Sequence, residues 1–196
     1  ACNPGDFVPY DTETAAKLIA DLKEIVPPYV RIQRIQRDIP KPQIIAGVMN
    51  SNLRQYARRE LKSRGKKCNC INCRELWRAH IDPSTAELKE IKYKSSGGDE
   101  YFFSYESGSK LLGYLRLRLD DNATVRELKV TGQAANIGKT GTGVQHMGLG
   151  SKLMKVAEEK AKGYAKIRVT HGPGTRLYYE KLGYSLEDYY MVKDLP

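Results

Sequence analysis

Three of the four cysteines stand close together, at Cys68, Cys70 and Cys73, in the spacing C-x-C-x-x-C. Thiolates held this near to one another repel unless a cation neutralises them, and zinc does so in tetrahedral protein sites. The spacing therefore predicts a metal centre, and it favours zinc. The sequence leaves the fourth ligand open between water and four side chains, which are Cys2, His80, His146 and His171.

Other interpretations of the cysteine cluster stay open as well. Thiolate ligands also suit an iron–sulfur cluster, and the thiols could equally carry no metal. A disulfide is the remaining competitor. It is the less favoured one, because no secretion signal is visible and an intracellular chain is more often reduced.

A glycine-spaced turn is the second chemical motif, and it runs from Gln145 to Gly150 as QHMGLG. It leads directly into an amphipathic helix at Ser151–Lys162. Such a turn presents free backbone N–H groups at a helix N-terminus, where they and the helix dipole can hold a pyrophosphate. Because glycines before a helix often do no more than let the backbone turn, the flanking elements decide the assignment.

The strand expected before this turn, Thr124–Thr131, has a break in its alternation. Leu128 alternates with charged neighbours, whereas Val125 stands three residues before it. That shift in period is what a β-bulge leaves in a sequence. After the helix, the sequence predicts a short strand at Ala165–Thr170 and then a short helix that Gly183 can close.

Basic residues gather on another predicted helix, which Asn50 or Ser51 caps and Gly65 closes. Its polar side carries like charges at i, i+4 and i+8, a spacing that costs about 0.2–0.5 kcal/mol per pair. This pattern and the formal charge of +10 favour an RNA-binding surface over a merely solvated face. The candidate phosphate contacts are Arg31, Arg34, Arg37, Lys41, Arg54, Arg58, Arg59, Lys62, Lys66 and Lys67.

The beginning of the chain predicts a helix that starts at Asp11 or Thr12 and ends before a Pro-Pro pair. Proline cannot continue a helix, and the apolar residues up to that point keep a 3.6-residue period. The period turns inward Ala15, Leu18, Ile19, Leu22 and Ile25. The following segment, Tyr29–Ile35, has the pattern of a strand.

Beyond Pro83 the pattern changes to β. Leu88–Lys94 and Tyr101–Glu106 predict a hairpin, and Lys110–Leu119 continues towards the bulged strand. Antiparallel strands that end in a strand–helix–strand unit predict an α/β (α+β) fold, with a mixed, mostly antiparallel, splayed sheet flanked by helices. We expect residues 1–80 to form a helical, basic and zinc-binding segment, and residues 81–196 to form the sheet domain.

The composition, 196 residues with 40% hydrophobic residues, is sufficient for a buried core. No apolar run approaches the roughly 20 residues of a membrane span, and no signal peptide is visible. We therefore expect a cytoplasmic protein without a membrane partner.

The order of strand, glycine turn, helix, strand and then Y-Y-x-K-x-G-Y resembles the GCN5-related N-acetyltransferase family over about Glu87–Lys193. The resemblance implies that acetyl-CoA binds with its pyrophosphate at the turn and its pantetheine arm beside the bulged strand. The implied contacts are Glu127, Leu128, Lys129, Val130, Gln145, His146, Met147, Gly148, Leu149, Gly150 and Ser151.

Two tyrosines are the implied catalytic residues. Tyr179 matches the family tyrosine, and Tyr178 is its neighbour. A departing thiolate needs a proton or a hydrogen bond, which a phenol can give. The competing interpretation makes both tyrosines packing residues.

A narrower resemblance covers nearly the whole chain from about Tyr10. It rests on the segments Val26–Pro40, Ser51–Arg54, Lys67–Glu75 and Arg126–Val130, together with Gln145-His146 and Tyr178-Tyr179. These look like the family of Elongator catalytic subunits, which modify the wobble uridine of transfer RNA. Members ordinarily carry a radical S-adenosylmethionine barrel before this region, so the resemblance implies the acetyl half of the reaction for this polypeptide.

Three functions follow as expectations. The leading one is an acyltransferase that binds acetyl-CoA and the anticodon stem-loop of transfer RNA, for carboxymethyl-type modification of the wobble uridine, with other Elongator subunits as partners. The alternatives are a protein lysine acetyltransferase acting on histone-like tails and a non-catalytic RNA-binding module. The basic surface favours RNA over a lysine-rich tail, and the intact turn and tyrosines favour an active site.

Overall fold

The computed structural model describes residues 8–36, 39–76, 81–131 and 148–196. The chain divides into two compact units, Ala1–Arg74 and Glu75–Pro196. The division falls earlier in the chain than the boundary expected at residue 80. Among the described helices, none combines the length and the apolar character that crossing a membrane requires.

Helix α1 (Thr12–Ile25) begins where the sequence predicts. Asp11 caps it, because its carboxylate accepts a 2.7 Å hydrogen bond from the Thr14 N–H. Three residues expected to face inward are instead 44%, 52% and 76% exposed, namely Leu18, Leu22 and Ile25. The buried residues are Ala15, Ala16, Ala20 and Lys23. The helical period is thus confirmed, but the buried face is the alanine side, which permits close approach to the neighbouring helix.

That neighbour is helix α2 (Leu53–Ser63), which packs on α1 through a small apolar cluster. Its buried residues are those of the predicted apolar side, Leu53, Ala57 and Leu61. Asn52 is the N-cap, just after the two residues predicted for that position, and makes no side-chain cap hydrogen bond. Gly65 has a φ of 67°, the left-handed conformation that ends many helices.

The segment Tyr29–Ile35 forms no strand, which corrects the sequence expectation. A strand needs a neighbour to pair with its backbone groups, and the described part of this unit offers none. The carbonyls of Ile32 and Gln33 instead accept hydrogen bonds from Arg54 Nη2 at 3.2 and 2.7 Å. A side chain of α2 thus takes the place of a partner strand.

The second unit is built on one seven-stranded sheet with the order β1-β2-β3-β4-β5-β7-β6. Neighbouring strands are antiparallel except β4 and β5. The strands are β1 Glu87–Ser95, β2 Gly98–Ser107, β3 Lys110–Leu119, β4 Ala123–Val130, β5 Lys166–Thr170, β6 Ser185–Glu187 and β7 Tyr190–Asp194. This is the mixed, mostly antiparallel sheet that the sequence predicts.

A two-residue turn joins β1 to β2. Ser95 pairs with Gly98, and the turn residues Ser96 and Gly97 have φ values of 47° and 81°. Positive φ at both positions is the type I′ geometry that matches the twist of a hairpin. The predicted hairpin is confirmed, and its strands extend further into the turn than the sequence pattern indicated.

Strand β4 contains the predicted bulge. Arg116 of β3 pairs with Glu127 and Leu117 pairs with Val125, so Arg126 is the extra residue. On its other side, β4 pairs with β5 through Ala123–Val125. In the described part of the sheet, β4 and β5 therefore diverge beyond the bulge, because a bulge bends the strand that contains it.

Helix α4 (Leu149–Lys160) covers one face of the sheet. The core lies between them and includes Leu115, Leu117, Val125, Leu153, Met154, Ala157, Ile167 and Val169. The leucines of β3 face this core, as their alternation with Arg116 and Arg118 predicts. Helix α5 (Arg176–Glu180) follows β5.

Candidate functional site

Helix α4 begins at a glycine in the left-handed conformation. Gly148 is the N-cap, with a φ of 67° and no side-chain cap. The first hydrogen bond runs from the Lys152 N–H to the Gly148 carbonyl at 2.9 Å. The three N–H groups between them, of Leu149, Gly150 and Ser151, therefore have no partner within the helix. The other predicted turn residues, Gln145, His146 and Met147, lie outside the described residues.

Gly150 lies against neighbours that leave no room for a side chain. A Cβ at this position would be 2.6 Å from Tyr178 Oη and 3.7 Å from Val130 Cγ2. The shorter distance is well inside van der Waals contact, so the backbone and the phenol approach this closely because the residue is glycine. The first turn of α4, helix α5 and the end of β4 thus meet at one point.

The two tyrosines of α5 have different surroundings. Tyr179 is 5% exposed in the core, and burial raises its pKa to about 12. Tyr178 is 37% exposed, and burial raises its pKa while a hydrogen bond with the Ser151 side chain opposes the rise. The two rings meet edge to face with centroids 5.1 Å apart. Both phenols therefore keep their protons at neutral pH.

The half of β4 beyond the bulge has its charged side chains engaged by neighbours. The Glu127 carboxylate accepts hydrogen bonds from the Tyr114 phenol and, at 2.9 Å, from Arg116 Nε. Lys129 Nζ pairs with Glu75 at 2.9 Å. The backbone of this half, on the side where β5 has diverged, is what remains to bind an extended ligand.

Sequence reasoning missed a buried ion pair behind this strand. Glu100 is 1% exposed, and its Oε1 accepts hydrogen bonds from Arg118 at 3.3 Å and Arg126 at 2.8 Å. Since Arg126 is the bulged residue, the ion pair helps to fix the bulge. The signal was the alternation of arginines with leucines on β3, which we had assigned only a facing and no partner.

The predicted cysteine cluster is present. The sulfur atoms of Cys68, Cys70 and Cys73 lie within 4.8 Å of one another and could hold a metal ion. All three are free thiols, and Cys70 is buried. The single turn α3 (Ile71–Arg74) positions the last of them, since the Cys73 N–H donates to the Cys70 carbonyl at 3.0 Å.

The thiols of the cluster share their protons. Hydrogen bonds from Cys68 and Cys73 hold the pKa of Cys70 far below its usual range, while the thiol contacts and burial raise the pKa of Cys73. Such a group of soft donors suits a metal that replaces the shared protons. Among the candidates for a fourth ligand, Cys2, His80 and His146 lie outside the described residues, and His171 Nε2 accepts a hydrogen bond from Arg176 at 3.3 Å.

The residues of the predicted RNA surface differ in what they contact. Arg58, Arg59 and Lys62 are exposed on α2, whereas Arg54 is half-buried and bonds to backbone carbonyls. Lys66 is exposed but pairs with Glu24 at 2.7 Å. Of the others, Arg31 is half-buried, Arg34, Lys41 and Lys67 are exposed, and Arg37 lies outside the described residues.

Relatives of the chain agree with the two-part organisation. The chain is 41% identical to the tRNA uridine(34) acetyltransferase of Dehalococcoides mccartyi, over 97% of this chain and 46% of the relative. It is 39% identical to Elongator complex protein 3 of Schizosaccharomyces pombe, over 96% of this chain and 39% of the relative. The chain thus spans less than half the length of these curated relatives.

A solved structure and two family profiles extend the comparison. The structure of Methanocaldococcus infernus Elp3 with an N-terminal deletion superimposes with a TM-score of 0.88 and 39% identity, covering 97% of this chain and 50% of that one. The profile of the Radical_SAM C-terminal domain matches residues 2–63. The profile of the Acetyltransferase (GNAT) family matches residues 71–184, which is more than half of the chain. The chain belongs to the GNAT acetyltransferase family.

Proposed function

We propose that the second unit binds acetyl-CoA between β4 and the N-terminus of α4. The observation that carries this proposal is the meeting of β4, α4 and Tyr178 around Gly150, beside the divergence of β4 from β5. The free N–H groups of Leu149–Ser151 and the helix dipole suit a pyrophosphate. The backbone of Glu127–Val130 suits an amide-containing arm that adds to the sheet as a strand would.

Acetyl-CoA supplies a thioester whose C–S bond breaks when the acetyl carbon is attacked. We assign to Tyr178 and Tyr179 the proton or hydrogen bond that the departing sulfur requires. Tyr178 is the more exposed of the two, and its Oη already lies at the first turn of α4. Tyr179 packs against it and stays protonated because burial raises its pKa to about 12.

Transfer RNA, bound through its anticodon stem-loop, is the proposed substrate, and the wobble uridine is the modified base. The names of the relatives, the formal charge of +10 and the exposed Arg58, Arg59 and Lys62 on α2 support this choice. The proposal extends to the cytoplasm, where transfer RNA serves translation, and to assembly with other Elongator subunits.

We further propose that the cysteine cluster binds one zinc ion within an RNA-binding segment that extends to about residue 80. Thiolates on a single zinc ion lie about 3.8 Å apart, given Zn–S bonds of about 2.3 Å in a tetrahedron. The cysteine sulfurs, all within 4.8 Å of one another, need little adjustment to reach that spacing. In an iron–sulfur cluster the cysteines bind different iron atoms, which separates their sulfurs further.

Acetyl-CoA turnover with and without an anticodon stem-loop RNA tests the proposed function, with a histone-tail peptide as the parallel acceptor. RNA-stimulated release of CoA is the expected result. Acetylation of the peptide without stimulation by RNA would instead indicate a protein lysine acetyltransferase. RNA binding without calorimetric binding of acetyl-CoA would indicate a non-catalytic module.

A further inference from the structure

Lys23 is a buried lysine whose partner is a thiol. It is 1% exposed near the end of α1, and its Nζ lies 3.6 Å from Cys73 Sγ. Among the described residues, no carboxylate lies within ion-pair distance of this ammonium. The adjacent Glu24 pairs with Lys66 at 2.7 Å. The negative charge that Lys23 requires must therefore come from the cysteine cluster.

Burial of an ammonium group is costly unless an anion compensates it. A set of three thiolates around a divalent ion carries one net negative charge, because the ion cancels two of the three. That complex is equally costly to bury by itself. An ammonium in contact with one of the sulfurs makes the whole assembly neutral, so each charge removes the cost of the other.

We infer that Lys23 is the counter-cation of the metal centre, and that its Nζ donates a hydrogen bond to the Cys73 thiolate. The inference rests on the proposed metal site and specifies it further. Neutrality is reached with one divalent ion, three thiolates and a fourth ligand that carries no charge. Water or an imidazole meets that condition, whereas a fourth thiolate from Cys2 does not.

The surroundings of the cluster hold this contact in place. Arg74 is 7% exposed, and it donates hydrogen bonds to the carbonyls of Asn69 and Pro28, both at 2.8 Å. The Ile71 N–H donates to the Val30 carbonyl at 3.0 Å. The loop that carries the cysteines is thus tied to the segment directly after α1. Donors of this kind, outside the ligand shell, tune the affinity of a site for its metal.

Competition with a chromogenic chelator for Zn²⁺, using the full chain, tests the inference. Lys23→Met keeps most of the aliphatic stem but removes the charge, and we expect it to weaken zinc affinity by about 10- to 100-fold. Lys23→Arg keeps both the charge and a donor, so its affinity should stay within a few fold of the wild type. Lys17→Met is the matched control, because Lys17 is exposed on the same helix and pairs with Glu13; its zinc affinity should be unchanged.

Wild-type protein that binds no zinc would refute the metal site itself. Zinc-binding wild type with an equally tight Lys23→Met variant would overturn the counter-cation role alone. Co²⁺ absorption separates a counter-cation from a ligand, since the d–d bands of Lys23→Met should keep their energies, and a shift would make Lys23 a direct ligand. Chelator-treated Lys23→Met should unfold at the same temperature as treated wild type or higher, and a lower value would reduce Lys23 to a packing residue.

Discussion

The phenol oxygen of Tyr178 lies 2.6 Å from the point that a Cβ on Gly150 would occupy. This closeness joins the tyrosine of α5 to the first turn of α4. The glycine of the turn therefore serves two purposes, because it leaves the helix N–H groups open to a ligand and makes room for the tyrosine. The turn and the tyrosine motif, which are separated in sequence, form one site.

Gly150→Ala should weaken CoA binding, because the new methyl group displaces Tyr178 and narrows the approach to the helix N–H groups. Overpacking of this kind costs about 1–3 kcal/mol, so we expect roughly a tenfold loss of affinity by calorimetry. Adding Tyr178→Phe removes the clashing oxygen and should recover part of the loss. Gly172→Ala is the control, since nothing lies within 4 Å of its Cβ position. Unchanged CoA affinity in Gly150→Ala would contradict the assignment of this turn.

Tyr178→Phe should lower the RNA-stimulated turnover of acetyl-CoA by at least about 100-fold, the lower range of general acid catalysis. The readout is kcat, with CoA affinity measured separately to exclude a binding effect. Tyr189→Phe is the matched control, because Tyr189 is 87% exposed and should leave turnover unchanged. Full activity in both Tyr178→Phe and Tyr179→Phe would remove the tyrosines from the chemistry.

Stability should decrease between about pH 10 and pH 12. Burial raises the pKa of Tyr179 from 10.0 to about 12, so the unfolded chain loses this proton before the folded one. The contribution is fully present below the unfolded pKa and is lost as pH rises through the folded pKa. Thermal midpoints measured across this range should decline less steeply in Tyr179→Phe than in the wild type, and Tyr189→Phe should keep the wild-type slope. An equal slope in all three proteins would argue against the shift.

Replacing Arg58, Arg59 and Lys62 by alanine should weaken RNA binding and flatten its salt dependence. Each lost phosphate contact should reduce the slope of log affinity against log salt by about 0.7–0.9. A control with equal charge loss in the second unit changes Lys94, Lys162 and Lys181. Acetyl-CoA binding should stay at the wild-type level in both sets. If the first set kept the full affinity and slope, another surface would have to bind the RNA.

Arg54 is expected to behave differently from the other basic residues of α2. Arg54→Ala removes the donor for the carbonyls of Ile32 and Gln33, and unsatisfied buried acceptors cost about 1–3 kcal/mol each. Its main effect should therefore be a lower free energy of unfolding in urea titration. The exposed Arg58→Ala should change stability by no more than about 0.5 kcal/mol. Equal stability of the two variants would contradict the structural role of Arg54.

Protein purified without added metal should contain close to one zinc ion per chain by elemental analysis. Cys70→Ser should lose most of it, because Cys70 is the buried member of the cluster. Removal of zinc with a chelator should lower the melting temperature, since metal binding and folding are coupled. Zinc-free protein with a disulfide among Cys68, Cys70 and Cys73 would refute the site.

The sequence by itself determined the features that depend on local pattern. The hairpin turn at Ser96-Gly97, the bulge beside Val125 and the spacing of the cysteines each follow from residues only a few positions apart. Backbone conformation and side-chain period are local properties, so the pattern is sufficient for them. The order of these elements, and the family that they resemble, were therefore readable before the structure.

Tertiary structure decided which side chains these elements bring together. Periodicity gives a helix an apolar side, but the packing partner selects the buried one, and so α1 buries Ala20 and Lys23 while Leu22 is exposed. The strand expected at Tyr29–Ile35 failed for the same reason, since a strand forms only where a neighbour pairs with it. Arg54 on its carbonyls, Lys23 at Cys73 and Tyr178 at Gly150 are contacts between distant residues, and no local pattern encodes contacts of that kind.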